Sequence, residues 1–136
     1  MVTFGYLAAV ITAAVATSFT DWFFMGVLFH DRYMAHPEIW RHAPGDRKRE
    51  NLSIALSTLV GLFACAMFVH ICVHLDFLGW HPAISLALGC WLAVALPLLI
   101  TNALFIKLHP LNTLAHALGW LVRLLICAVS AHLFLG

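Results

Sequence analysis

Two oppositely charged side chains stand out because they lie inside long apolar segments. Asp21 lies within the first apolar run, 4–29. Arg123 lies near the middle of the last run, 111–135. A charge in the centre of a bilayer costs roughly 2.5 to 3.5 kcal/mol, so such a residue usually faces protein or water and has a partner. We therefore predict an ion pair, which either fixes the register of two helices or takes part in binding an ion or small ligand.

The nine histidines are the second set of residues capable of chemistry. His70 and His74 are four residues apart on one helix face, a spacing that chelates a transition metal when a third ligand is near. Asp76, His81 and His132 are the residues that could supply it. A haem held by one histidine from each of two helices, such as His70 and His132, is a related alternative. No zincin glutamate accompanies the pair, so the motif does not indicate hydrolysis.

Composition defines the elements that must position these groups. Apolar residues make up 63% of the 136 and charged residues 10%, with a mean hydropathy of +0.96, which excludes an ordinary soluble domain. Four apolar runs are each long enough to cross ~30 Å of hydrocarbon: 4–29, 52–75, 84–106 and 111–135. The prediction is an all-α, polytopic membrane protein with four transmembrane helices in an antiparallel bundle, forming one domain over 1–136.

The distribution of basic residues predicts the orientation. The long connection 30–51 contains Arg32, Arg41, Arg47, Lys48 and Arg49, and the short third connection contains Lys107. The connection between the second and third runs contains neither Lys nor Arg. By the positive-inside rule, the connection 30–51 is cytoplasmic and both termini are non-cytoplasmic. Formal net charge is only +1, so nucleic acid is not an expected partner, whereas the lipid bilayer is.

Small residues at four-residue steps predict which helix faces pack, because close backbone approach drives helix association in lipid. The four stripes are Gly5, Ala9, Ala13, Thr17 and Asp21; Ser53, Ser57, Gly61 and Cys65; Ser85, Gly89, Ala93, Pro97 and Thr101; and Ala115, Gly119, Arg123, Cys127 and Ala131. Asp21 and Arg123 both belong to such stripes. At ~1.5 Å rise per residue their depths differ by roughly 6 Å, within reach of an arginine side chain.

Further polar residues complete the predicted site. Thr101, Asn102 and His116 fall at a similar depth, so the predicted intramembrane polar cluster is Asp21, Thr101, Asn102, His116 and Arg123. Pro97 is expected to free a backbone carbonyl of the third helix. No catalytic residue is predicted, because the chain shows no nucleophile with its base, no carboxylate pair and no dinucleotide-binding loop. An enzyme is therefore the least favoured class.

Three segments resemble a known family. They are the stretch 21–29 (DWFFMGVLF), the stretch 97–105 (PLLITNALF) and the segment around His116 and Trp120. Together they resemble the bacterial domain-of-unknown-function family 1761, and the resemblance covers most of the chain. It implies a small four-helix protein of the bacterial cytoplasmic (inner) membrane, and it implies no activity. The pair His30-Asp31 departs from the family pattern, and His70 and His74 are not part of it.

Three functions follow from these residues. The first is a bundle, expected to be a homo-oligomer because four short helices rarely enclose a pathway alone, whose polar interior binds or transports a small ligand or ion. The second is an accessory or structural subunit of a larger membrane complex, in which the same charges fix helix contacts. The third is a membrane protein with a histidine-ligated metal or haem. The cofactor, if one is used, is therefore a transition metal or haem.

Overall fold

Four long apolar helices form the protein in a computed structural model, which describes residues 4–35, 46–106 and 109–136. The four membrane-spanning helices, called here the first to fourth spans, are Phe4–Leu28, Arg47–His74, Trp80–Phe105 and Pro110–Leu135. A short helix, His30–Met34, follows the first span. The ranges given above contain no strand. The all-α prediction with four spanning helices is confirmed, whereas Arg41 and Lys107, used to predict orientation, lie outside the described residues.

Side chains just outside the apolar runs start the second and fourth spans. The Asp46 carboxylate accepts a hydrogen bond from the backbone N–H of Arg49 at 3.3 Å, so the second span begins at the basic segment, ahead of its apolar run. At the fourth span, Nδ1 of His109 accepts from the backbone N–H of Leu111 at 3.2 Å. Pro110 then occupies the first helical position, where no N–H is needed.

The first and third spans each contain a wider, π-helical turn. In the third span the helix Trp80–Cys90 passes through the π turn Trp91–Ala95 into the helix Leu96–Phe105. The turn lies just before Pro97, which has no N–H to donate, so the hydrogen-bond pattern changes there. In the first span the helix Phe4–Trp22 continues as the π turn Phe23–Leu28.

The fourth span is the centre of the bundle and packs against each of the other three. The first and second spans also pack against each other, while the third packs mainly on the fourth. Most buried positions are alanine or cysteine, which allows the close backbone approach that stabilises helices in lipid. One close approach is at Gly5, where an added Cβ would lie 2.6 Å from the carbonyl oxygen of Phe134.

The predicted packing faces are confirmed for the first and fourth spans, confirmed at Gly61 and Cys65 but not at Ser53 and Ser57 for the second, and wrong for the third. Ala9, Ala13 and Thr17 are buried in the first span, and four of the five predicted positions are buried in the fourth. The third-span prediction was wrong. All five residues of its stripe are exposed, and the span packs instead through Ala83 and Ala87. In an alanine-rich helix two faces show the same four-residue spacing, so the spacing cannot decide between them.

The second span packs over only part of its length. Its buried residues are Gly61, Cys65, Phe68, Val69 and Cys72. Residues 47–60 include no buried position, so Ser53 and Ser57 of the predicted stripe are exposed. The packed part therefore begins at Gly61, the residue beside which Arg123 lies.

Candidate functional site

The two intramembrane charges meet. Nη2 of Arg123 donates a hydrogen bond to Oδ2 of Asp21, and the two groups form an ion pair between the first and fourth spans. Asp21 lies at the end of the regular α-helix of the first span, just before its π turn. The predicted ion pair is confirmed, and its members come from helices that also share the most extensive packing in the bundle.

The two charges differ in how well they are sheltered. The side chain of Arg123 is 11% exposed, whereas that of Asp21 is 39% exposed. The guanidinium lies over the ring of Trp120, with its central carbon 5.1 Å from the ring centroid, an attractive cation–π arrangement. On another side it lies against Gly61, where an added Cβ would be 2.8 Å from Nη1. Arg123 is thus held on three sides, while the carboxylate stays accessible.

A layer of small polar groups lies next to the pair along the same helices. Thr17, one turn from Asp21, is buried, and its hydroxyl lies 3.6 Å from the Sγ of Cys65. Cys65 and Cys127 are both buried free thiols of the bundle core. The Thr17 hydroxyl also donates to the carbonyl of Ala14 at 3.1 Å. Thr17 and Cys65 therefore belong to the packed core one turn from Asp21.

The third span is fixed near the site by an indole hydrogen bond. Nε1 of Trp91 donates to the backbone carbonyl of Ala117 in the fourth span at 2.8 Å. Trp91 is the first residue of the π turn, so that turn and the hydrogen bond occur together. A π-helical turn is often found at a functional site. Here the indole of its first residue attaches the third span to the helix that contains Arg123.

The structure brings only part of the predicted polar cluster to the pair. His116 lies within electrostatic range of Asp21. Asn102 is half-buried and Thr101 is exposed, and across 4–35, 46–106 and 109–136 no hydrogen bond joins either side chain to the pair. Sequence reasoning missed the contact of Arg123 with Gly61 and with Trp120. Both could have been found, because Gly61 lies in the second stripe and Trp120 precedes Arg123 by three positions on one helix face.

The histidine ligand set is not assembled. The rings of His70 and His74 stack with centroids 6.0 Å apart, and both residues are exposed. His132 is used otherwise, since its Nδ1 donates to the carbonyl of Leu78 at 2.9 Å. Asp76 ends the second span, and His81 is exposed at the start of the third. Within the described ranges, no group of three or more His, Cys, Asp or Glu residues is placed to hold a metal ion.

Four helices that are long and apolar enough to cross a membrane define a multi-pass helical membrane protein. The chain belongs to the family described as protein of unknown function DUF1761, whose model matches residues 8–131. The family predicted by resemblance is therefore confirmed. No curated protein and no solved structure shows significant similarity to the chain.

Proposed function

We propose that the protein binds a small cation at Asp21 and passes it through the membrane, with Arg123 as the resident countercharge. The observation that supports this function is the unequal shelter of the pair, 39% exposure for the carboxylate against 11% for the guanidinium. An ion pair with both groups fully buried would leave no room for a further charged group. An accessible carboxylate oxygen instead offers a second charge a place to bind.

The fixed position of Arg123 suits such an exchange. An unpaired carboxylate in a low-dielectric interior is costly, so a carrier that releases its cation needs a countercharge already in place. Arginine stays charged at every physiological pH and provides that countercharge without a proton of its own. When a cation occupies Asp21, the guanidinium keeps its position over the ring of Trp120 and stays stabilised there.

The setting proposed for this function is the bacterial cytoplasmic membrane, with both termini on the non-cytoplasmic side. The basic residues of the 30–51 connection support that orientation. A homo-oligomer is the proposed assembly, and the unburied part of the second span, 47–60, supports it, because a second copy could cover that surface.

Proton flux into proteoliposomes tests the function with the simplest cation as the probe. Vesicles of purified protein with a trapped pH-sensitive dye are given a potassium diffusion potential. The wild type should move protons faster than empty vesicles, and Asp21→Asn should reduce the rate to that of empty vesicles. Asp76→Asn is the matched control, because it makes the same chemical change at the end of the second span.

A direct measurement covers the case in which Asp21→Asn fails to fold. Infrared difference spectra of the wild type, recorded between high and low pH, should contain a protonated-carboxyl band that is retained in Asp76→Asn. Asp21→Glu, which keeps the carboxylate, should shift that band. Flux equal to that of empty vesicles, together with a spectrum unchanged by Asp21→Glu, would show that Asp21 only fixes helix contacts.

An accessory subunit of a larger complex is the second candidate function. It is favoured by the long unburied part of the second span and by the helix Leu96–Phe105, in which no residue is buried. Native mass in mild detergent separates the two functions. A stable homo-oligomer supports the carrier, and obligatory association with a larger complex supports the subunit.

A further inference from the structure

An amide without a partner is enclosed at the start of the fourth span. Asn112 is 1% exposed, and neither its Nδ2 nor its Oδ1 has a hydrogen-bond partner in the part of the chain that the structure describes. Oγ1 of the adjacent Thr113 is also buried without a partner there. Buried polar groups are normally satisfied by protein or by ordered water. Two neighbouring side chains with unmet hydrogen bonds therefore indicate a bound molecule.

The face of the helix that contains Asn112 leads to the ion pair. Asn112, His116, Gly119 and Arg123 follow one another at steps of four, three and four residues, which keeps them on one face. His116 lies within electrostatic range of Asp21. Polar groups thus extend from the first turn of the fourth span to the level of Arg123.

Unfilled space lies along this face. Gly119 is buried, yet a Cβ added to it would meet no atom within 4 Å. Gly61 is the opposite case, since its missing Cβ leaves room that the Arg123 guanidinium fills. Gly119 therefore lies beside a gap, between the unsatisfied amide at one end and the ion pair at the other.

We infer that water occupies a narrow pocket along this face and hydrates the Asp21–Arg123 pair from the Pro110 end of the fourth span. Water fits because each molecule donates and accepts, which both the nitrogen and the oxygen of the Asn112 amide require. This inference rests on the proposed function, since it names the route by which a proton or hydrated cation reaches Asp21. Apolar lipid chains could not satisfy the amide.

Cysteine accessibility tests the pocket, because a thiol reacts as its thiolate and needs contact with water. In a background with the four native cysteines replaced by alanine, Gly119→Cys is treated in membrane vesicles with a small charged methanethiosulfonate reagent. Ala117→Cys is the matched control, because Ala117 is also buried but its backbone carbonyl faces the Trp91 indole. The pocket predicts that Gly119→Cys, and Asn112→Cys with it, react about tenfold faster or more than Ala117→Cys.

Hydroxyl-radical footprinting of the unaltered protein gives a second measurement that needs no variant to fold. Radicals formed from bound water should oxidise Trp120 more strongly than Trp91, two residues that are both half-buried. Equal reaction of Gly119→Cys and Ala117→Cys, or equal oxidation of the two tryptophans, would overturn the pocket.

The outcomes also separate this inference from the proposed function. If Gly119→Cys reacts but the protein moves no protons, the water pocket is supported and the carrier function is contradicted. If proton flux depends on Asp21 but Gly119→Cys does not react, the carrier function is supported and this route is contradicted.

Discussion

A methyl group on Gly61 would lie 2.8 Å from Nη1 of Arg123. Glycine in the middle of a helix costs about 1 kcal/mol relative to alanine. This cost is offset because the space left by the missing side chain is occupied by the Arg123 guanidinium, which is paired with Asp21 and stacked on Trp120. One glycine of the second span thus allows an intramembrane charge of the fourth span to be packed.

Gly61→Ala should therefore destabilise the bundle. The added methyl group forces the guanidinium away from its position, and overpacking of this kind typically costs about 1 to 3 kcal/mol. Alanine recovers about 1 kcal/mol of helix propensity, so the net loss should be at most about 2 kcal/mol. The measurement is the free energy of unfolding in mixed micelles with increasing sodium dodecyl sulfate.

Gly89→Ala is the matched control for that substitution. Its added Cβ meets no atom within 4 Å, and the residue is exposed on the third span. It should be neutral or slightly stabilising because alanine has the higher helix propensity. Equal losses in the two variants would mean that glycine matters for the helices themselves and not for the space it leaves to Arg123.

Removal of either charge should have unequal effects. Asp21→Leu leaves a guanidinium that is 11% exposed and cannot lose its proton, so it should cost about 3 to 5 kcal/mol. Arg123→Leu leaves a carboxylate that is the more exposed of the two groups and can be neutralised by a proton, so the loss should be smaller. The double variant Asp21→Leu with Arg123→Leu should recover much of the stability lost in Asp21→Leu.

Unfolding of the three variants in the same mixed micelles provides the comparison. A larger loss for Arg123→Leu than for Asp21→Leu would contradict the view that Arg123 is the more sheltered partner. A double variant no more stable than Asp21→Leu would mean that the two charges do not depend on one another.

The ion pair was predictable because the need for a partner and the depth of each charge depend only on the helix that contains it. A charge inside an apolar segment requires a partner, and helical rise alone placed Asp21 and Arg123 at compatible depths. The four spans were predictable for a similar reason, since hydrophobic length determines them. Asp46, which caps the start of the second span, is of a residue type that commonly caps helices.

The sequence does not determine which of two similar helix faces packs against the neighbouring helix. In the third span both the stripe through Gly89 and the face through Ala83 consist of small residues, and only packing on the fourth span selects the latter. Thr101 therefore lies away from the pair although its depth suits the site. The contact of Trp91 with Ala117 depends on a π turn, whose extra residue rotates the helix by an amount that no spacing rule supplies.

Trp91→Phe should weaken the attachment of the third span to the fourth. The substitution keeps an aromatic ring but removes the Nε1 donor that bonds to the carbonyl of Ala117, a loss of about 1 kcal/mol. Trp22→Phe is the control, because Trp22 is exposed on the first span. Thermal unfolding in detergent should show a lower midpoint for Trp91→Phe alone. Equal midpoints would indicate that the indole hydrogen bond contributes nothing measurable.

Asp76 holds a backbone conformation that favours glycine. Its φ is 56°, and the second span ends there with the N–H of Phe77 donating to the carbonyl of Cys72 at 2.8 Å and that of Asp76 to Val73 at 3.3 Å. This pair of bonds is the left-handed helix-ending motif in which glycine is the commonest residue. The structure therefore gives Asp76 a role in ending the helix.

Asp76→Val should consequently cost about 1 to 2 kcal/mol in the free energy of unfolding, because a β-branched side chain is strained at positive φ. Asp76→Gly should be at least as stable as the wild type, and Asp76→Asn should be neutral, since asparagine tolerates this conformation. Unfolding of the three variants in mixed micelles measures the series. If glycine and asparagine were as damaging as valine, the carboxylate itself would be required, and a bound cation at the end of the second span would become the better explanation.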